Sequence, residues 1–365
     1  MSTVMRPDSR GHKEALTFEE LQAKVVDLQA RKVDYVVDTR RVGFFDEGSD
    51  FAISIDGVND VSFKVGDRAH KQIAGRLKIP RIYYDRMRKD APQLLQRNVE
   101  HWFINQPEKR MIRAYNGEEP VVRAFLSDRY RRLDNFDLLQ HLGPELGKID
   151  GLEYHVGSLT PEKLFLRVTL PGLEAPIRVG DMVRAGVEIS NSEVGSGALQ
   201  VRPYILRLVC MNGMVSNVAL RRYHTGARVE ETEDELGIYS DETLKADDKA
   251  LFMKAADLVR ASLTEASFAT IVDRLRDLTA TDEIQAPVAA VQVLGDRLDL
   301  TEGERERVLT QLVKGADLSQ WGAINALTET AKDAESFDRL VELEEAAGRL
   351  TELDAQEWAR VAVAA

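Results

Sequence analysis

Met111-Ile-Arg-Ala-Tyr-Asn-Gly-Glu-Glu-Pro-Val-Val-Arg-Ala-Phe-Leu-Ser127 alternates residue by residue on both sides of an Asn-Gly pair. A period of two marks β-strand, and Asn-Gly between two such runs marks a hairpin. Ile112 and Ala114 lie on one side of the first run, with Met111, Arg113 and Tyr115 on the other. Strict alternation puts Val122, Ala124 and Leu126 on one side of the second run and Val121, Arg123 and Phe125 opposite. A loop of odd length keeps both apolar sets together.

Further strands follow the hairpin. Leu164, Leu166, Val168 and Leu170 alternate with Phe165, Arg167 and Thr169. Val183, Ala185, Val187 and Ile189 alternate with Arg184, Glu188 and Ser190, and Gln200 to Met211 is apolar on both sides, as a central strand is. Val36 to Val42 and Phe51 to Ile55 read as short strands before the hairpin. Helical spacing covers Arg68 to Leu77, Arg81 to Lys89, Pro92 to Ile104 and Leu133 to Leu146. Thr17-Phe-Glu-Glu20 and Thr301-Glu-Gly-Glu304 are capping boxes. Pro287, Ser319 and Ser336 suit helix starts, and Gly315 a helix end. Asp134 is positioned to cap the helix after the hairpin, with Asp137 in its first turn.

These patterns predict an α+β fold: a twisted, mainly antiparallel sheet with packed helices, followed by an all-helical C-terminal part. The expected division is an N-terminal segment 1–15, a core over 16–229, an acidic linker over 230–240 and a helical region over 241–365.

The chain has 365 residues and a formal net charge of −12, unevenly spread. Residues 1–229 carry 35 Lys and Arg against 30 Asp and Glu; residues 230–365 carry 14 against 31. The halves are therefore +5 and −17. Residues 64–132 hold 17 basic and 8 acidic side chains. Such asymmetry fits either a nucleic-acid binder with an acidic partner surface or two differently solvated regions. No apolar run is long enough for a membrane helix and no secretory leader is visible, so no membrane association is expected. A single cysteine, Cys210, makes no internal disulfide, and the expected compartment is the cytoplasm.

Phosphate loops, dinucleotide fingerprints, nucleophile elbows and zinc-helix motifs are missing from the sequence, and its six histidines are scattered. No catalytic residue, metal site or cofactor is expected. Asp128, Asp134, Asp137, Glu188 and Glu193 would be the carboxylates of a metal-dependent nuclease if they converged in space. Asp134 and Asp137 also have a structural explanation as caps, and Glu188 or Glu193 as the ion-pair partner of Arg207, which interrupts an apolar strand.

The positive signal is the polar side of the strands. Arg113, Tyr115, Arg123, Phe125, Phe165, Arg167 and Arg184 put guanidinium groups and rings on that side. Bases stack on rings and arginine neutralises phosphates, so an exposed face of this kind suits a single strand. Burial of the same side chains by the helices of 68–104 is the competing reading. Arg129, Tyr130, Arg131 and Arg132 form one flanking basic cluster, and Arg221 and Arg222 another.

Three segments carry a family resemblance: Arg123-Ala-Phe-Leu-Ser-Asp-Arg-Tyr-Arg-Arg-Leu-Asp134; Ser190-Asn-Ser-Glu-Val-Gly-Ser-Gly-Ala198, continued at Leu206-Arg-Leu-Val-Cys-Met-Asn-Gly213; and Asp317-Leu-Ser-Gln-Trp-Gly-Ala-Ile-Asn-Ala326. From about residue 60 onward the chain resembles the phage/plasmid-like proteins grouped as domain of unknown function 932. The resemblance implies a mobile genetic element in a bacterial host and no settled activity. Mobile elements carry strand-annealing proteins that assemble as rings or filaments on a curved sheet with a basic groove. The expected function is single-stranded DNA binding, with annealing or recombination as its use and a homo-oligomer as its form. The alternatives are a protein-interaction module, anti-defence or regulatory, using the acidic half, and the metal-dependent nuclease.

Overall fold

The computed structural model describes residues 14–48, 50–58, 61–215 and 241–364. Helix α1 (Phe18–Arg31) starts at the Thr17–Glu20 capping box, with both reciprocal hydrogen bonds made. It leads into β1 (Lys32–Asp38), a 3-10 turn at Thr39–Arg41, β2 (Val42–Asp46), β3 (Phe51–Ile55) and β4 (Phe63–Val65). The single strand expected over Val36 to Val42 is thus two strands. Asp38 accepts from the Arg40 N–H and turns the chain between them.

Helices α2 (Asp67–Arg76), α3 (Arg81–Asp90) and α4 (Pro92–Asn105) precede the hairpin of β5 (Lys109–Tyr115) and β6 (Val121–Ser127). The first sheet runs β1-β5-β6-β4-β3-β2 and is antiparallel except where β4 meets β6. Helices α2 to α4 cover one face. Phe44, Phe51, Ile53, Phe63, Ile112, Val122 and Phe125 pack there beneath Ile73, Met87, Leu95, Val99 and Phe103.

The hairpin departs from strict alternation at one residue. Arg113 pairs with Ala124 and Ala114 with Val122, so Arg123 is the extra residue of a β-bulge. The phase shifts there. Val122 and Phe125 share the helix-covered face, whereas Ala124 and Leu126 join Met111 on the other.

After α5 (Asn135–Leu146), strands β7 (Glu153–Leu159), β8 (Leu164–Arg178), β9 (Asp181–Asn191), β10 (Gln200–Arg207) and β11 (Asn212–Val215) form a second sheet in the order β11-β10-β9-β8-β7. The C-terminal part is helical: α6 (Asp241–Ser262), α7 (Glu265–Asp277), α8 (Pro287–Leu298), α9 (Glu302–Gly315), α10 (Gln320–Ala331), α11 (Phe337–Leu350) and α12 (Ala355–Ala362). The second capping box opens α9 with both its bonds formed. The fold is the expected α+β class, with two sheets in place of one.

Packing ties the helical part to the second sheet. One continuous core joins Leu164, Leu166, Val187, Ile189 and Ile205 to Leu142, Val259, Ile271, Leu327, Leu340 and Trp358. Full burial of each such side chain contributes about 1.5–3 kcal/mol, so the second sheet and the helices after it form one structural unit. The expected N-terminal segment, apart from its last two residues, and the acidic linker lie outside the described residues. So do Arg221 and Arg222.

Candidate functional site

Of the seven strand residues expected on one open face, Arg113 and Arg167 have no exposed surface, and Phe125 and Phe165 keep 2% and 1%. They sit in two different sheets, so no shared ligand-ready surface exists among them. The burial has three separate causes.

Arg113 lies on the first sheet's face away from α2–α4. Its Nε and Nη2 donate to Asp34 at 2.9 and 3.2 Å, Nη2 also to Asp134 at 2.6 Å, and Nη1 to the Glu193 carbonyl at 2.9 Å. Burial alone would lower its pKa; the two aspartates outweigh that and raise it. Asp134 is also paired with Lys32. Asp134 therefore occupies the N-cap position of α5 without making the cap bond. Glu193 makes it instead, accepting from the Asn135 N–H at 2.7 Å. The other Glu193 oxygen accepts from Arg123 at 2.8 Å, and the Arg123 guanidinium stacks 4.1 Å from the half-buried Tyr115 ring.

Phe125 is turned inward by the bulge and stacks on Phe103, ring centroids 5.4 Å apart. The competing reading, cover by the helices, is what the structure shows for this residue.

Arg167, with Phe165 two residues before it, is enclosed by α11 on its own face of the second sheet, where Phe337 packs against both. Its Nε and Nη2 reach Glu188 at 2.7 and 2.5 Å, and Nη2 reaches Glu344 at 2.5 Å. Glu188 also takes Arg202, which pairs with Glu345 at 2.6 Å. Burial drives the Glu188 pKa up, but Arg167 and Arg202 hold it below the ordinary value, so the carboxylate stays charged. Arg184 pairs with Glu174 at 2.7 Å.

Arg131 reaches Asp247 and Asp248 of α6 at 2.7 and 2.8 Å. The Tyr130 hydroxyl donates to the Ser192 carbonyl at 3.0 Å. Arg129 is exposed, and Arg132 is half exposed with its Nε 3.8 Å from Asp34. Arg207 is ion-paired as expected, but with Asp181 at 2.6 Å and not with Glu188 or Glu193. Part of the acidic half's charge is thus met within the chain, by Arg131, Arg167, Arg178 and Arg202. Among the described residues, no group of three or more His, Cys, Asp or Glu is arranged to hold a metal ion, and no helix is long and apolar enough to cross a membrane.

The segments behind the family resemblance converge in two places. Arg123–Asp134 meets Ser190–Ala198 through the Glu193 and Tyr130 bonds above. Arg68 of α2 donates to the Gly195 carbonyl at 2.5 Å and Gln72 to the Val194 carbonyl at 2.7 Å. Gly195 has φ +75°, and a Cβ there would stand 2.8 Å from Leu126. This loop fastens the two sheets together. Leu206–Gly213 meets Asp317–Ala326 at a cavity beside β11.

The accessible cations lie where the sequence reading placed only covering helices. On α3, Ile82 is 87% and Tyr83 48% exposed, beside exposed Arg86 and Lys89. On α4, Leu94 and Ile104 are open to solvent with exposed Arg97 and His101. Tyr84, Met87, Leu95, Val99 and Phe103 take the inner positions, so this second stripe faces away from the sheet. Arg86, Lys89 and Arg97 have no partner among the described residues; the carboxylates next to them in sequence are exposed Asp90 and Asp85, which pairs with Arg81 at 2.6 Å. Below them, buried His70 bonds through Nδ1 to the Tyr84 hydroxyl at 2.8 Å, and burial pushes its pKa down to about 4. The sequence signal was available: Ile82, Tyr83, Leu94 and Ile104 fall off the inner helical stripes.

A search of the curated proteins and a search of the solved structures each returned no match. The family model for the domain of unknown function 932 matches residues 124–360, beginning within β6 and ending in α12. That match spans most of the chain, including both places where the resemblance segments meet, and the chain belongs to the family of the domain of unknown function 932.

Proposed function

We propose that the protein binds single-stranded nucleic acid, DNA in preference, as a non-catalytic binding protein of a mobile element, through the outer face of α3 and α4. The observation that carries this reading is the pair of unpaired cations Arg86 and Lys89 beside solvent-facing Ile82 and Tyr83 on α3, with a third, Arg97, exposed on α4. Cations without protein partners are free to neutralise phosphates, and an exposed ring offers a base a stacking surface. The strand arginines no longer support it, since their charge is met inside the fold.

Fluorescence anisotropy of the full chain with a labelled oligonucleotide tests the reading. Binding in the micromolar range at low salt is expected. Replacing Arg86, Lys89 and Arg97 together by Ala should weaken it and reduce the salt slope by about 2, the share of three single-strand phosphates. The Arg86, Lys89 and Arg97 side chains are exposed, so the fold should be unaffected. No binding at low salt, or an unchanged slope in the triple variant, overturns the reading.

A further inference from the structure

Independently of nucleic-acid binding, one edge of the first sheet is left open among the described residues. That sheet ends in β2 on one side and in β1 on the other. β2 has Gln96 of α4 on its Asp46 N–H at 3.3 Å. In the second sheet, Leu16 and Gly157 of β7 exchange backbone hydrogen bonds, and β11 is only four residues long. β1 carries seven residues, paired with β5 in unbroken register from Lys32–Tyr115 to Asp38–Lys109, without proline or bulge. Natural sheets blunt an edge of this length with proline, bulges or cover, because its free N–H and C=O groups template another strand.

The ladder fixes which groups are free. The Asn116 N–H donates to the Arg31 carbonyl at one end of β1, and the Thr39 N–H to the Glu108 carbonyl at the other. Antiparallel pairs alternate, so Val33, Tyr35 and Val37 bond inward to β5, while Lys32, Asp34, Val36 and Asp38 present their backbone outward. Among the described residues no partner meets the Asp34 and Val36 backbone groups, and the Val36 side chain is 47% exposed.

This edge is complementary to itself. Two copies of Lys32-Val-Asp-Tyr-Val-Val-Asp38 laid antiparallel about Tyr35 set Lys32 against Asp38, Val33 against Val37 and Asp34 against Val36. The outward groups of Asp34 and Val36 then bond each other. At each end the Asp38 N–H meets the Lys32 carbonyl; the Lys32 N–H is already bonded to the Gln29 carbonyl, and the Asp38 carbonyl opens the 3-10 turn. No like charges oppose in this register. A slip of two residues one way sets Asp34 against Asp34, and the other way Asp34 against Asp38. We propose that the β1 edge is a self-association surface, on which a second copy of this chain pairs antiparallel and joins two six-stranded sheets into one. The twofold axis stands perpendicular to the sheet at Tyr35, so both α2–α4 layers, with their outward cations, fall on the same side.

Sedimentation velocity of the full chain over a range of concentrations, without nucleic acid, tests this. One strand pair is a small interface, so a monomer–dimer equilibrium in the micromolar range is expected. Hydrogen exchange at single-residue resolution should slow at Asp34, Val36 and Asp38 as concentration rises and stay unchanged at Val33, Tyr35 and Val37. Val36→Pro removes an outward donor without touching the β5 ladder and should leave a monomer at every concentration. Val36→Asp, at an exposed position, opposes Asp34 twice in the dimer and should raise the dissociation constant about tenfold. A monomer at near-millimolar concentration overturns the proposal. So does a dimer that neither substitution weakens, or exchange at Asp34 and Val36 that does not depend on concentration.

Discussion

Each of the two sheets buries an arginine on its polar face, and the two burials differ in what would happen to the partners. Arg113 in the first sheet faces Asp34 and Asp134, whose side chains keep 11% and 13% of their surface, and a loop carbonyl. Arg167 in the second faces Glu188 and Glu344, with 0% and 2%. Water can reach the first pair of carboxylates with little movement, but not the second. The lesson is that exposure of the partner, more than of the arginine, sets how much each site contributes.

The sharpest way to break the comparison is to remove each guanidinium while keeping its bulk. Arg167→Met leaves buried Glu344 without a counter-charge and Glu188 with Arg202 alone, and should cost about 3–5 kcal/mol in a denaturant titration. Restoring stability by also replacing Glu188 and Glu344 with Gln and Leu would show that the stranded charge is the cause. If Arg167→Met loses less than Arg113→Met, the comparison fails.

A second contrast concerns pH. His70, beneath the cationic face of α3, has a folded pKa of about 4 because of burial, below the 6.5 of a free imidazole. As pH falls, the unfolded chain takes up the proton first. Stability should be complete above pH 6.5 and decline toward pH 4, by about 3 kcal/mol at most. In a His70→Gln variant the decline over that window should shrink by about this amount. An identical pH dependence in variant and parent would refute the assignment.

The smallest of the three effects belongs to Arg113. Arg113→Met should cost about 2 kcal/mol, because Asp34 and Asp134 can hydrate and Asp134 keeps Lys32. Hydrogen exchange should show the loss concentrated at the 190–196 loop, which Arg113 and Arg123 hold. Uniform loss across both sheets would argue against a local fastening.

Much of the architecture was legible beforehand. The capping boxes at Thr17 and Thr301, the hairpin around Asn116-Gly117 and the helices of 67–105 follow from caps, turn chemistry and periodicity, all of which act over a few residues. The loss of phase at Arg123 was not legible, because a bulge depends on how the neighbouring strand is held. Nor could the sequence separate the two sheets, since alternation says which residues share a face without saying whose.

The sequence by itself determined the α+β class, the helical C-terminal part, the family and the charge asymmetry, because these are sums or short-range patterns along the chain. Only the tertiary structure decided which arginines meet solvent. Arg167 and Glu344 are 177 positions apart, and nothing local foretells that α11 brings its carboxylate onto the second sheet. A charged side chain is read as exposed until a partner from elsewhere makes its burial affordable. Here, distant carboxylates did so for Arg113 and Arg167, and left Arg86, Lys89 and Arg97 to the surface.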